Sequence, residues 1–171
     1  MIYLIDDSMI RTIKPQLSIN IDVAKKVNPA IRDAQEFDLR PFLGDEFYQD
    51  LQNNLGDYDL LMLETEYSHG GRTYVSPGII ATLSLFAYAR IKSDANEHDT
   101  AFGTVNKLNP YSNGVSEATI SRQVREIKEQ AKVYLQRVQA YLDRNENQFP
   151  LWKKSPCRKP KTTGYKLRST K

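Results

Sequence analysis

Six carboxylates in the stretch IRDAQEFDLRPFLGDEFYQDL are the feature whose residue types could do chemistry: Asp33, Glu36, Asp38, Asp45, Glu46 and Asp50. Carboxylates held close together can bind a divalent cation or act as general acid and base. At about 100° per helical residue, however, most of these acids point away from the apolar stripes of their helices. Since a solvated helix flank does not shift a pKa, the pattern predicts surface acids, with a catalytic or metal cluster as the alternative.

Other residue patterns give no stronger sign of catalysis. His69 and His98 lack the spacing of a zinc site, and the motifs of phosphate loops, dinucleotide sites and nucleophile elbows do not occur. HGGRT, residues 69–73, has glycines for an anion-binding turn but lacks the context of a phosphate loop. We therefore expect no catalytic residue, no cofactor, no metal and no enzymatic activity, with a hydrolase that uses the acids as an open alternative.

The composition is that of one globular domain with an appendage. The chain has 171 residues, of which 40% are hydrophobic and 26% charged. No apolar stretch is long enough to span a bilayer, and the acidic start does not resemble a signal peptide. The single cysteine, Cys157, cannot form an internal disulfide. These features predict a protein made in a reducing cytoplasm, without export or a membrane partner.

Charge divides the chain into an acidic body and a basic tail. Residues 147–171 hold eight of the 24 basic residues and none of the 21 acidic ones, so residues 1–146 carry 16 basic and 21 acidic side chains. A segment this polar and basic is not expected to fold alone, and we predict an extended tail that binds a partner. The candidate partner-binding residues are Phe149, Leu151, Trp152, Lys153, Lys154, Arg158, Lys159, Lys161, Lys166 and Arg168.

The partner of the tail is not specified by its composition. Nucleic acid phosphates and an acidic protein surface would both attract it, and a solubilising tail without a partner is a further alternative.

Helical signals fill most of residues 21–146. Asn28 and Pro29 predict the start of a helix with the apolar stripe Ala30, Ile31, Ala34 and Phe37, and Pro41 predicts its end at Arg40. A short helix after Gly44 and a third helical piece over residues 57–67 follow, and the glycines of HGGRT predict a turn. Residues 1–20 lack a helix signal and are expected to form an extended arm, or a frayed terminus.

The second half has the strongest periodicity. Ser76 and Pro77 predict the start of a helix that is apolar on nearly every side, as expected at the centre of a core. Residues 97–115 predict a long loop that could hold a small hairpin. The stripe from Ile120 to Leu142 predicts a helix from Ser116 to about Asn145, part of which should meet another subunit. The expected fold is an all-α helical bundle over 21–146 with a long C-terminal helix, an N-terminal arm over 1–20 and a tail over 147–171.

Three stretches together resemble a known family. They are INIDVAKKVNPAIRDAQEFDLRPFLGDEFYQDL, VSPGIIATLSLFAYAR and the ending YLDRNENQFPLW, and the similarity spans roughly residues 15–152. They are similar to the head-to-tail connector, or adaptor ring, proteins of tailed bacteriophages of Bacteroidetes, including crAss-like phages.

The resemblance implies a structural virion protein of the phage neck, assembled in the host cytoplasm. It implies a homo-oligomeric ring, dodecameric by portal symmetry, that binds the portal protein and the next neck or tail ring. Double-stranded DNA would pass through its channel without sequence-specific binding. Residues 1–20, the 97–115 loop and the tail would make the contacts. The alternative from composition is a nucleic-acid-binding regulator or packaging accessory that uses the basic tail.

Overall fold

The chain is mostly helical, with two small antiparallel hairpins, so the all-α expectation holds only at this coarse level. The computed structural model describes residues 2–94, 97–100, 103–106 and 116–155. The α-helices of this part are α1 (Asp7–Ile13), α2 (Asn28–Ala34), α3 (Arg40–Leu43), α4 (Asp45–Asn53), α5 (Asp59–Met62), α6 (Gly78–Ser93) and α7 (Glu117–Arg144). Short 3₁₀ turns cover Leu55–Tyr58 and Pro150–Lys154.

The centre of the core is α6, as its apolar sequence predicted. It packs against α1, α2, α5 and α7, and most of its side chains are buried. A helix whose polar side is this small must be covered all round, because the hydrophobic effect removes every apolar face from water.

The long helix α7 lies along α6 and buries the predicted stripe. Its start is fixed by Ser116, whose hydroxyl accepts a hydrogen bond from the Thr119 N–H, and its bounds agree with the predicted ones. Side chains three and four residues apart, such as Val124, Ile127 and Ala131, face the core.

The N-terminal segment is not the extended arm that the sequence predicted. Asp6 caps α1 by accepting a hydrogen bond from the Met9 N–H at 2.9 Å. Leu4, Ile5, Ile10 and Leu17 are buried in the chain's own core. The sequence suggested an arm because a seven-residue helix with one buried residue shows no helical periodicity.

The third predicted helix is also wrong in its second half. After α5 the chain forms β1 (Thr65–His69) and β2 (Arg72–Ser76), paired antiparallel with Tyr67 opposite Tyr74. Gly70 and Gly71 have φ of 58° and 73°, the left-handed pair that a two-residue hairpin turn requires. The expected loop over 97–115 contains a second hairpin, β3 (Glu97–Thr100) with β4 (Gly103–Asn106), and its other residues lie outside the described ranges.

The first predicted helix does not stop at Arg40. Helical backbone runs without interruption from Val23 to Leu43 because π-helical turns, Val23–Val27 and Gln35–Leu39, flank α2. The wider second turn gives room to the ring of Pro41, which falls in the first turn of α3 where its missing N–H is not needed. The extra residue of a π turn also rotates later side chains around the axis, so Phe37, predicted in the core, is 70% exposed.

Candidate interaction surfaces

The exposed ring of Phe37 forms one wall of a surface groove of about 630 Å³, here called the Phe37 groove. Its other walls come from the second π turn, α3, the start of α4 and the 3₁₀ turn after α7. Gly44, with φ of 82°, makes the sharp junction between α3 and α4 that shapes it. The groove is lined by Glu36, Phe37, Arg40, Pro41, Leu43, Gly44, Asp45, Glu46, Phe47, Leu151 and Lys154.

Acids on the rim of the groove are paired with bases of the same chain. Arg40 donates to Glu36 at 2.9 Å and to Asp45 at 2.7 Å, and these bonds raise the pKa of its guanidinium. Lys154 donates to Glu46 at 2.6 Å. Such exposed pairs add little stability, so their main effect is to fix the positions of the charges.

The remaining acids of the cluster, Asp33, Asp38 and Asp50, also form ion pairs or hydrogen bonds within the chain. Asp38 Oδ2 lies 2.6 Å from Arg90 Nη1 on α6, and burial raises the pKa of Asp38 although Arg90 opposes the shift. Asp50 accepts hydrogen bonds from the Asn54 side chain and from the Tyr58 hydroxyl. Burial is the main cause that raises the pKa of Tyr58, and the hydrogen bond to Asp50 raises it further. Asp33 Oδ1 lies 3.3 Å from Arg32 Nε.

The six acids therefore do not point at one common site. The cluster was predicted to be a solvated face, and all six acids are exposed or half-buried, although each has a partner in the chain and two of them share Arg40. Within the described residues, no group of three or more histidine, cysteine and acidic side chains could hold a metal ion.

A buried glutamine that sequence reasoning missed holds the start of the chain. Gln35 is fully buried on the second π turn, and its Oε1 accepts from the Leu4 N–H at 2.8 Å. Its Nε2 donates to the Ile2 carbonyl at 3.1 Å and to the Tyr48 hydroxyl at 3.2 Å. Gln35 thereby gives hydrogen-bond partners to the Leu4 N–H and the Ile2 carbonyl, as a neighbouring strand would.

The root of the basic tail is fixed to the body. Trp152 is fully buried against Phe42 and donates its Nε1–H to Asp143 at 2.7 Å. Phe149 is buried among the rings of Phe47, Tyr58 and Tyr141. While the chain holds this conformation, neither predicted anchor ring is available to a partner.

The other predicted tail residues divide into two groups. Leu151 and Lys154 line the Phe37 groove, and Lys153 is exposed beside them. Arg158, Lys159, Lys161, Lys166 and Arg168 lie outside the described residues.

Two further surfaces expose apolar side chains. The first, here called the α7 surface, is a shallow concavity lined by Arg125, Glu126, Glu129, Gln130, Val133 and Tyr134, with Val133 53% exposed. The second, here called the α5 surface, is formed by Leu60 and Leu63, which are 57% and 55% exposed. Leu60 lies in α5, and Leu63 directly follows the helix.

Two arginines of α7 bind the β1–β2 hairpin. The Arg144 guanidinium lies 3.9 Å from the centre of the Tyr74 ring and donates to the Tyr67 hydroxyl at 2.9 Å. Arg137 donates to the Val75 carbonyl at 3.0 Å. The HGGRT stretch forms the end of β1, the turn of this hairpin and the start of β2.

Comparison with known proteins gives a family without a known activity. The model of a family described as "Family of unknown function (DUF6712)" matches residues 39–162, which is more than half of the chain. No curated protein and no solved structure matches the chain. None of the described helices is long and apolar enough to cross a bilayer. On the family match, the chain belongs to the DUF6712 family.

Proposed function

We propose that this chain is a structural protein of the neck of a tailed bacteriophage. Copies of a helical-bundle subunit would form a ring that joins the portal to the tail and extends the DNA channel. The proposal rests on the resemblance of residues 15–152 to adaptor ring proteins and on the surfaces described above. In this role the protein has no enzymatic activity and works by fitting against its neighbours in the virion.

The observation that carries the proposal is the presence of two exposed apolar surfaces on different elements. A ring built from heterologous contacts needs two different, complementary patches on each subunit. The α7 surface is concave and carries Val133, and the α5 surface presents the exposed side chains of Leu60 and Leu63. We infer that the α5 surface of one subunit packs on the α7 surface of the next.

The distribution of charge is compatible with a DNA channel. Residues 1–146 carry 21 acidic and 16 basic side chains, and an acidic wall repels DNA phosphates and lets the duplex slide. Glu36, Asp45 and Glu46 are paired within the chain, so the excess of acidic over basic side chains in residues 1–146, 21 against 16, would produce this effect. A lumen lined by basic side chains would contradict this part of the proposal.

Two variants test the heterologous contact. Val133→Arg should disable the α7 surface and Leu60→Arg the α5 surface, because each places an unpaired charge in an apolar contact. Each variant alone should stay at the mass of one chain, 19.7 kDa, in analytical ultracentrifugation where the wild type assembles. Mixed together, they should form a complex of two chains and no larger species, since one intact contact remains.

The control is Ser121→Arg, which adds the same side chain at an exposed polar position of α7 that does not line the α7 surface, and it should leave assembly unchanged. If Val133→Arg and Leu60→Arg assemble like the wild type, the proposed contact is wrong. A mixture that remains monomeric would show that the two surfaces do not bind each other.

Salt dependence separates the ring protein from a nucleic-acid-binding regulator. A regulator that grips phosphates with its basic tail would bind duplex DNA in solution with an affinity that falls steeply as salt rises. The ring protein should bind free DNA weakly and should co-purify with portal protein. Tight, salt-sensitive DNA binding by the purified wild type would favour the regulator.

A further inference from the structure

The Phe37 groove begins where the described chain ends. Leu151 and Lys154 line it, and Ser155 Oγ donates to the Phe42 carbonyl at 2.6 Å. Ser155 has φ of −64° and ψ of 138°, the extended conformation expected of a residue before proline. The next residues, PCRKPK at positions 156–161, therefore start from a fixed point on the rim of the groove.

The chemistry of the groove matches that of this segment. Its lining combines apolar and charged side chains, with the exposed ring of Phe37 in the same groove as Pro41 and Leu151, and aromatic rings of this kind pack well against proline. Its rim carries three carboxylates, Glu36, Asp45 and Glu46, against the two bases Arg40 and Lys154. PCRKPK brings two prolines, three basic residues and no acid.

The pair between Lys154 and Glu46 shows that the root of the tail already uses this rim. Six residues in extended conformation span about 20 Å, which is enough to cross a groove of this size.

We propose that residues 156–161 bind across the Phe37 groove of their own chain in the free subunit. A ligand tethered at the rim has an effective concentration of about millimolar, so it outcompetes the tail of a second copy at micromolar protein. The segment covers Phe37, which would otherwise expose a large aromatic surface to water. A neck partner that uses the groove must first displace the tail.

Trypsin tests this contact in the full-length protein without a label. A protease needs an extended, accessible segment, so binding in the groove should slow cleavage after Lys161. Phe37→Ser should raise the rate of that cleavage about tenfold, as expected when a segment bound about nine-tenths of the time is released. Cleavage after Lys166, outside the segment, should keep its rate, and mass spectrometry of the released peptides measures both bonds.

The matched control is Ile19→Ser, which removes an exposed apolar side chain that does not line the groove. It should leave both cleavage rates unchanged, and circular dichroism should show that both variants keep the helical content of the wild type. The Lys161 rate relative to Lys166 should not change over a hundredfold dilution of the protein.

Three results would overturn the proposal. Equal cleavage after Lys161 in the wild type and in Phe37→Ser would show that the segment does not use the groove. An equal rise in Ile19→Ser would show a general loss of stability. Protection that disappears on dilution would assign the groove to the tail of a second copy.

Discussion

Two long helical stretches pack on α6, and only one of them is regular. In α7 the sequence stripe and the buried face agree along the helix. In the run from Val23 to Leu43, Gln35 continues the buried stripe of Ile31, and the second π turn then changes the register, so that Phe37 points into solvent. The difference shows that apolar spacing predicts burial only where the hydrogen-bond pattern of the helix is uniform.

The irregular stretch carries more of the features expected of a binding site. π turns occur frequently at functional sites because the wider turn presents side chains that a regular helix would hide. Here the second π turn supplies both the clamp on residues 2–4 and one wall of the Phe37 groove. In α7, regularity instead provides a straight face for packing.

The largest expected effect on the free energy of unfolding tests which side chains between Val23 and Leu43 face the core. Phe42→Ala should lower the free energy of unfolding by about 3–5 kcal/mol, because a buried ring that packs on Trp152 leaves a cavity. Phe37→Ala in the same helix should cost no more than about 1 kcal/mol, since its ring is exposed. Urea unfolding followed by circular dichroism measures both, and similar losses would mean that Phe37 belongs to the core.

The next largest effect on stability comes from a glutamine-to-alanine substitution, made once in the irregular stretch and once in α7. Gln35→Ala should cost about 2–4 kcal/mol, because it leaves the Leu4 N–H without its partner and removes buried volume. Gln136→Ala, at an exposed position of α7, should change stability by less than about 0.5 kcal/mol. Residues 2–4 should also exchange their amide hydrogens faster in Gln35→Ala. Unchanged exchange there would refute the clamp.

The smallest effect concerns the helix caps. Asp6→Ala at the start of α1 and Ser116→Ala at the start of α7 should each cost about 1 kcal/mol, because each removes the acceptor of an N–H group. The two caps should differ in their response to pH, since only Asp6 titrates.

The pH dependence of the Asp6 cap has a definite sign. Hydrogen bonds from the Ser8 hydroxyl and the Met9 N–H hold the pKa of Asp6 below its ordinary value of 3.8. Its stabilising effect is therefore present above pH 3.8 and is lost as the pH falls through the lower folded-state pKa. The stability difference between wild type and Asp6→Ala should shrink below pH 3.8. A constant difference down to pH 2 would show that the charge of Asp6 does not contribute.

Sequence was a reliable guide to α6 because it is apolar on nearly every side, and to α7 because it buries a long regular stripe. The predicted cap is correct for α7, at Ser116, but wrong for α6. That helix begins at Gly78 after Pro77, while Ser76 ends β2. Sequence reasoning missed α1, whose seven residues are too few for a periodic signal, and it missed β1 and β2 although the glycine pair marked their turn.

The prediction that the acids point away from the core was correct. Three of their partners, Arg90, Tyr58 and Lys154, come from other elements of the fold. Pairings of this kind depend on the tertiary fold and leave no local pattern.

The most direct test of the proposed neck role is electron microscopy of the purified protein, alone and mixed with portal protein. The proposal predicts closed rings of one size, which stack on portal rings in the mixture, and Val133→Arg should abolish both. Single subunits in every sample, including the mixture with portal, would contradict the claim that this protein works by fitting against copies of itself.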